Sequence, residues 1–162
     1  MKQLHKFLSR NARERLLLVK AALLLVYIGL GLRLLLFQHL RKLLAKIAQL
    51  STKLLPPDDT YVNEVAWAVT VASRYIPGAK CLTQALTTQV LLAWHGYPTQ
   101  LCIGFTIDKG GQMSAHAWVE SQGQIVIGGA ENMTRYIQVP LQEVESDKIG
   151  SWNLETIYKV NL

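Results

Sequence analysis

Two residues of this chain are suited to do chemistry together, Cys81 and His116. Cys81 follows Pro77-Gly78-Ala79-Lys80 and stands where a helix should begin. A cysteine in a first helical turn has its thiolate favoured by the helix dipole and by backbone N–H groups without intrahelical partners. Lys80 adds a positive charge beside it. A nucleophilic thiol also needs a base that takes its proton and later gives it to a leaving amine, and histidine does this near neutral pH. His116 lies about 35 residues on, in a stretch that reads as a strand, so only folding can join the two. Taken singly, each has a plainer reading. A free cysteine is often a small buried hydrophobe, and a lone strand histidine is usually satisfied by a neighbour.

The elements that must position this pair can be read from the periodicity. Pro56-Pro57-Asp58-Asp59 marks a boundary, with Asp58 or Asp59 able to cap the next helix. Residues 60–75 predict a helix with Val62, Val65, Ala66, Val69 and Ala72 on one stripe, stopped by Pro77-Gly78. A second helix runs from Cys81 to His95, and Gly96 is placed for a left-handed cap. After Pro98 the period changes to two. Leu101, Ile103, Phe105 and Ile107 alternate with smaller residues, then 114–120 put His116, Trp118 and Glu120 on one face of a second strand. Gln122-Gly123 makes a hairpin turn into a third strand from Gln124 to Ile127, and Glu155 to Val160 reads as a last strand. Helices first and an antiparallel sheet after them predict an α+β fold.

Charge divides the chain at the same boundary. The net charge is +6, but residues 1–55 hold eleven Lys and Arg against one acid, Glu14, a balance of +10, while the remainder is acidic. This argues against a nucleic-acid-binding surface spread over the whole chain and suits an anionic partner or membrane surface for the N-terminal third. Residues 10–50 are Leu-rich and helical in composition, with Gly29 and Gly31 predicting a bend or break. The apolar run from Ala21 to Leu32, bracketed by Lys20 and Arg33, is short for a membrane span. A helical hairpin packed on the following domain is the leading reading, with membrane-surface contact through residues 10–50 as the alternative. Two cysteines are too few for a disulfide scaffold, no Cys/His cluster has zinc spacing, and no cofactor is expected. No signal-peptide cleavage pattern closes the apolar run, so the expected location is cytoplasmic, with or without a membrane contact. The expected organisation is a basic helical extension over 1–55 and a catalytic domain over 56–162.

The runs Cys81-Leu82-Thr83-Gln84-Ala85-Leu86, Gly96-Tyr97-Pro98, Ile103-Gly104, His116-Ala117-Trp118-Val119-Glu120 and Ile127-Gly128-Gly129 resemble one family. It is that of the transglutaminase-like leader peptidases of lasso-peptide biosynthesis, the B2-type proteins. The Arg-flanked leucines at 13–18 share in the likeness. The resemblance implies a papain-related core and a cysteine protease that removes the leader from a ribosomally made precursor. It further implies a separate B1-type leader-recognition protein and a lasso cyclase as partners. In this reading Cys81 is the nucleophile and His116 its base, with a thioester intermediate resolved by water. The Cys81 N–H would supply half of an oxyanion hole whose second donor is open.

The family often places an Asp about a dozen residues after the histidine to orient its ring. Here that position is Gly128 or Gly129, and neither has a side chain that can do so. Glu131 is the favoured third member, with Asn132, a backbone carbonyl or a water as alternatives. Glu120, four residues along the strand from His116, is about 13 Å away and too far. Trp118 is expected either to wall the substrate cleft or to serve as a core aromatic, and Cys102 to pack in its strand. His95 is expected to serve the helix dipole, His5 and His39 to be solvated, and Gln84 is left without a role. Two other readings share these residues. One is a catalytically weak or inactive scaffold that binds precursor and maturation partners. The other is a transglutaminase, in which an amine resolves the thioester.

Overall fold

The computed structural model describes residues 11–34, 58–107, 111–129 and 133–139. Its elements are α1 (Ala12–Leu34), α2 (Asp59–Ser73), α3 (Cys81–Ala93), β1 (Gln100–Ile107), β2 (Met113–Ser121), β3 (Gln124–Ile127) and β4 (Ile137–Val139), with a single 3₁₀ turn at Met133–Arg135 before the last strand. The sheet is antiparallel in the order β3-β2-β1-β4. This is the expected α+β arrangement. The strand expected at 155–160 lies outside the described residues.

Each element has a local cause. Asp58 caps α2, its Oδ1 accepting from the Thr60 N–H at 3.0 Å. The α2 stripe turned inward is Tyr61, Val65, Ala68, Val69 and Ala72, rotated slightly from the expected one. α3 ends with Gly96 at φ +76°, which lets the Tyr97 N–H reach back to the Leu92 carbonyl at 3.1 Å. The β2–β3 hairpin turns through Gln122 and Gly123, both at positive φ. β4 was not legible in advance: it is three residues long, and pairing with the edge of β1 through Ile103–Phe105 creates it.

α3 is the central helix. Nine of its thirteen residues are buried, with the sheet on one side and α1 and α2 on the other. Cys81 therefore begins the helix whose axis is most firmly fixed. α1 joins the same core through Leu17, Ala21, Leu25 and Ile28. It runs unbroken through Gly29 and Gly31, where a bend or break was expected. Gly29 faces Thr83 of α3, and packing along that side outweighs the local cost of glycine in a helix, about 1 kcal/mol each. The second half of the expected hairpin lies outside the described residues.

Because Leu25 is fully buried, Leu25→Ala should destabilise the whole domain by about 2–5 kcal/mol. Urea unfolding followed by circular dichroism measures this. An unchanged midpoint would mean that α1 is an appendage and no part of the core.

Candidate active site

The geometry of the site follows from where β3 stops. β2 pairs with β3 only over Val119–Ser121, through an irregular register beside Val119. Below that point, at His116 and Ala117, β2 has no strand partner on its β3 side, and the N-terminus of α3 approaches it. Cys81, at the first position of α3, is half-buried there with a free thiol.

The thiol of Cys81 and the imidazole of His116 are hydrogen-bonded. The Ala117 and Leu82 N–H groups also donate to the sulfur. Burial is the largest single influence on the thiol and pushes it up. The His116 hydrogen bond, the Ala117 N–H, the His116 charge and the Leu82 N–H together outweigh it and hold Cys81 below its ordinary range. His116 is shifted the other way. The Cys81 hydrogen bond raises it first, burial opposes, and the Gly128 carbonyl and the Cys81 charge raise it further. Both shifts favour a thiolate–imidazolium pair. Lys80, expected to contribute charge, is not among the groups acting on the sulfur.

His116 Nε2 lies 2.6 Å from the carbonyl oxygen of Gly128. A carbonyl can only accept, so Nε2 carries the proton and Nδ1 is left to face the thiol. The orienting group is thus the main chain of the residue whose missing side chain seemed to disqualify it. Gly128 sits at φ +84°, and a Cβ there would stand 2.7 Å from the Ala117 carbonyl oxygen and 2.9 Å from Trp118 Cβ. No carboxylate-bearing residue fits at this position. Glu131 and Asn132 lie outside the described residues.

Four more residues surround or support the imidazole. Trp118 stacks beside it with centroids 6.3 Å apart and is only 4 % exposed, buried on the His116 face of β2. Its indole N–H donates to Glu120 Oε1 at 2.7 Å. Glu120 is thus remote from the imidazole in direct contact yet holds the ring next to it. Tyr136, which carried no signal in the sequence, tilts against His116 at 5.4 Å. Gly104, paired with His116 across the strands, is the floor: a Cβ there would come within 3.0 Å of both Trp118 and Tyr136.

The other candidates fall elsewhere. Gln84 donates from Nε2 to the Ala79 carbonyl at 2.8 Å and ties the loop before Cys81 to its helix. Cys102 is buried, and its thiol is pushed up to about 11 by burial and then by Glu120, which suits packing and not nucleophilic attack. His95 does more than end a helix: its Nδ1 meets the Tyr61 hydroxyl at 2.9 Å and the Leu91 carbonyl at 3.1 Å. His5 and His39 lie outside the described residues. Among the described residues no cluster of three or more His, Cys, Asp or Glu could hold a metal ion.

The coupling of thiol and imidazole can be measured directly. Alkylation of Cys81 by iodoacetamide should show an inflection below the ordinary thiol value of about 8.5. In His116→Asn the inflection should rise by about one unit or more, slowing alkylation at neutral pH roughly tenfold. Peptide mass spectrometry separates Cys81 from buried Cys102, which should stay unmodified. Identical profiles for the two proteins would show that the pair is not coupled.

No curated protein and no solved structure matches the chain. Residues 24–140 match the family model described as the Transglutaminase-like superfamily, a range that contains Cys81, His116, Gly128 and every strand of the sheet. With helices before an antiparallel sheet and a helix-terminal cysteine bonded to a strand histidine, the chain belongs to the transglutaminase-like superfamily.

Proposed function

We propose that this chain is a cysteine peptidase that removes the leader from a ribosomally made lasso-peptide precursor. The observation that carries the reading is the hydrogen-bonded Cys81–His116 pair at the start of α3, with both groups shifted toward the charged form. The sequence runs around Cys81 and His116 supply the lasso-peptide setting by resemblance.

The chemistry is set by the atoms present. Cys81 Sγ attacks the carbonyl carbon of the scissile peptide while its proton resides on His116 Nδ1. The Cys81 N–H, at a helix start with no carbonyl four residues behind it in the helix, is placed to donate to the developing oxyanion. The imidazolium gives its proton to the departing amine, leaving a thioester. His116, neutral again, takes a proton from water as the water adds, and collapse of that adduct releases the acid and the thiolate. Through these steps Nε2–H remains on the Gly128 carbonyl and keeps the ring from turning. In this reading a B1-type recognition protein delivers the leader and a lasso cyclase takes the cleaved product.

A second reading, a weak or inactive scaffold that binds the precursor and its maturation partners, is favoured by one observation. The position that faces the imidazole carries a glycine, and a carbonyl dipole stabilises an imidazolium less than a carboxylate would. Mixing the chain with a precursor and its recognition protein separates the two. Mass spectrometry should find a released leader with the native chain and none with Cys81→Ala, while leader binding persists in both. Binding without cleavage by the native chain would favour the scaffold.

The pH profile of cleavage should be bell-shaped. The acid limb reports formation of the thiolate, which requires pH above a depressed thiol value. The alkaline limb reports loss of the imidazolium, which persists to a pH above the ordinary histidine value of about 6.5. Both limbs belong to the coupled pair. A single rising limb with an inflection at about 8.5 would show that the thiol reacts without help from His116.

A further inference from the structure

α1 is apolar on both sides, which a helix on the outside of a domain should not be. Its inner side packs on α2 and α3. Its outer side presents Leu16, Val19, Leu23, Val26, Tyr27 and Leu30, each 46–67 % exposed. Their spacing of three and four residues makes one continuous strip. A contiguous apolar patch of this extent is rare on a monomer unless something covers it.

Charge indicates what covers it. Arg13, Lys20 and Arg33 are exposed at the start, flank and end of the strip, from end to end about 30 Å at helical rise. Arg13 also contacts Glu64 at 3.5 Å and lies over the Tyr61 ring, leaving its side chain 65 % exposed. The one acid of α1, Glu14, is set off the strip and partly buried. Apolar residues bordered by cations suit a surface with an oily interior and anionic headgroups. A second copy fits poorly, because it would bring together two helices in each of which Arg13, Arg15, Lys20 and Arg33 outnumber the single acid Glu14. By length and composition α1 could cross a membrane. Burial of Leu17, Ala21, Leu25 and Ile28 in the domain prevents this, since spanning would tear them from the core. What remains is a helix lying flat.

We propose that the outer face of α1 binds an anionic phospholipid surface, seated in the headgroup plane with Leu16, Val19, Leu23, Val26, Tyr27 and Leu30 inserted and Arg13, Lys20 and Arg33 on the phosphates. The binding has a consequence for the active site. The Arg33 guanidinium lies over Gly78, where a Cβ would meet it at 2.7 Å, and Gly78 is three residues before Cys81. The turn that leads into α3 therefore lies beside the C-terminal end of α1. This inference is independent of the peptidase reading, since it invokes no residue of the Cys81–His116 pair.

The test is co-sedimentation of the full chain with vesicles of phosphatidylcholine alone and of phosphatidylcholine with phosphatidylglycerol. Binding is expected to the mixed vesicles, falling as salt is raised. Leu23→Glu/Leu30→Glu should lower it about tenfold or more, because two exposed leucines no longer insert. Thermal unfolding and Cys81 alkylation should not change in that variant, since both side chains point away from the core. Leu23→Trp should show a blue-shifted emission with mixed vesicles only. Absence of binding by the native chain would overturn the proposal. So would native binding equal to that of the double variant, or a dimer that the double variant dissociates, which would assign the strip to a second copy. Loss of thermal stability in the double variant would also overturn it, placing another part of the same chain on the strip.

Discussion

The hydrogen bond between the Cys81 thiol and the His116 imidazole is the contact on which the rest of the site depends. It joins the start of the most buried helix to the middle of the sheet, two elements that meet only in the folded state. Each side is held independently. α3 is fixed by apolar burial along most of its length, and Gln84 ties the preceding loop to it. The imidazole is fixed by Gly128, Trp118 and Tyr136, with Glu120 behind the indole. Neither side chain has to search for the other, so little conformational entropy is lost when the pair forms.

The sheet contributes by being incomplete. β3 gives out before it reaches Ala117, and the unpaired edge offers an amide N–H to the sulfur. Helix and sheet each supply one backbone donor, from Leu82 and Ala117, so the negative charge on the thiolate is met from two directions. A sheet edge would normally be a liability. Here the start of a helix covers it.

Most of this framework could be read from the residue pattern. The switch from a 3.6 to a 2.0 period after Pro98, the Asp58 cap and the Gln122-Gly123 turn each have a local physical cause, and all three elements stand where the pattern put them. That Cys81 and His116 would meet could be expected too, since a cysteine at a helix start and a strand histidine are residue types with few substitutes. Features of tertiary origin were not. Gly29 and Gly31 looked like a bend, and packing of α1 against its neighbours holds the helix through them. β4 exists only by pairing with β1. Tyr136 reaches His116 because of that pairing, and its type alone gave no hint of it.

The Gly128 carbonyl was the hardest feature to foresee, because a main-chain acceptor leaves no signature in the choice of residue. It also eludes side-chain mutagenesis. Every residue has a carbonyl, so truncating side chains one at a time never deletes this acceptor; it can only displace it by disturbing the backbone. Removing it cleanly would take an altered peptide linkage, such as a thioamide built in by semisynthesis. A histidine oriented in this way has part of its support written in chain geometry, where alanine scanning has little to say.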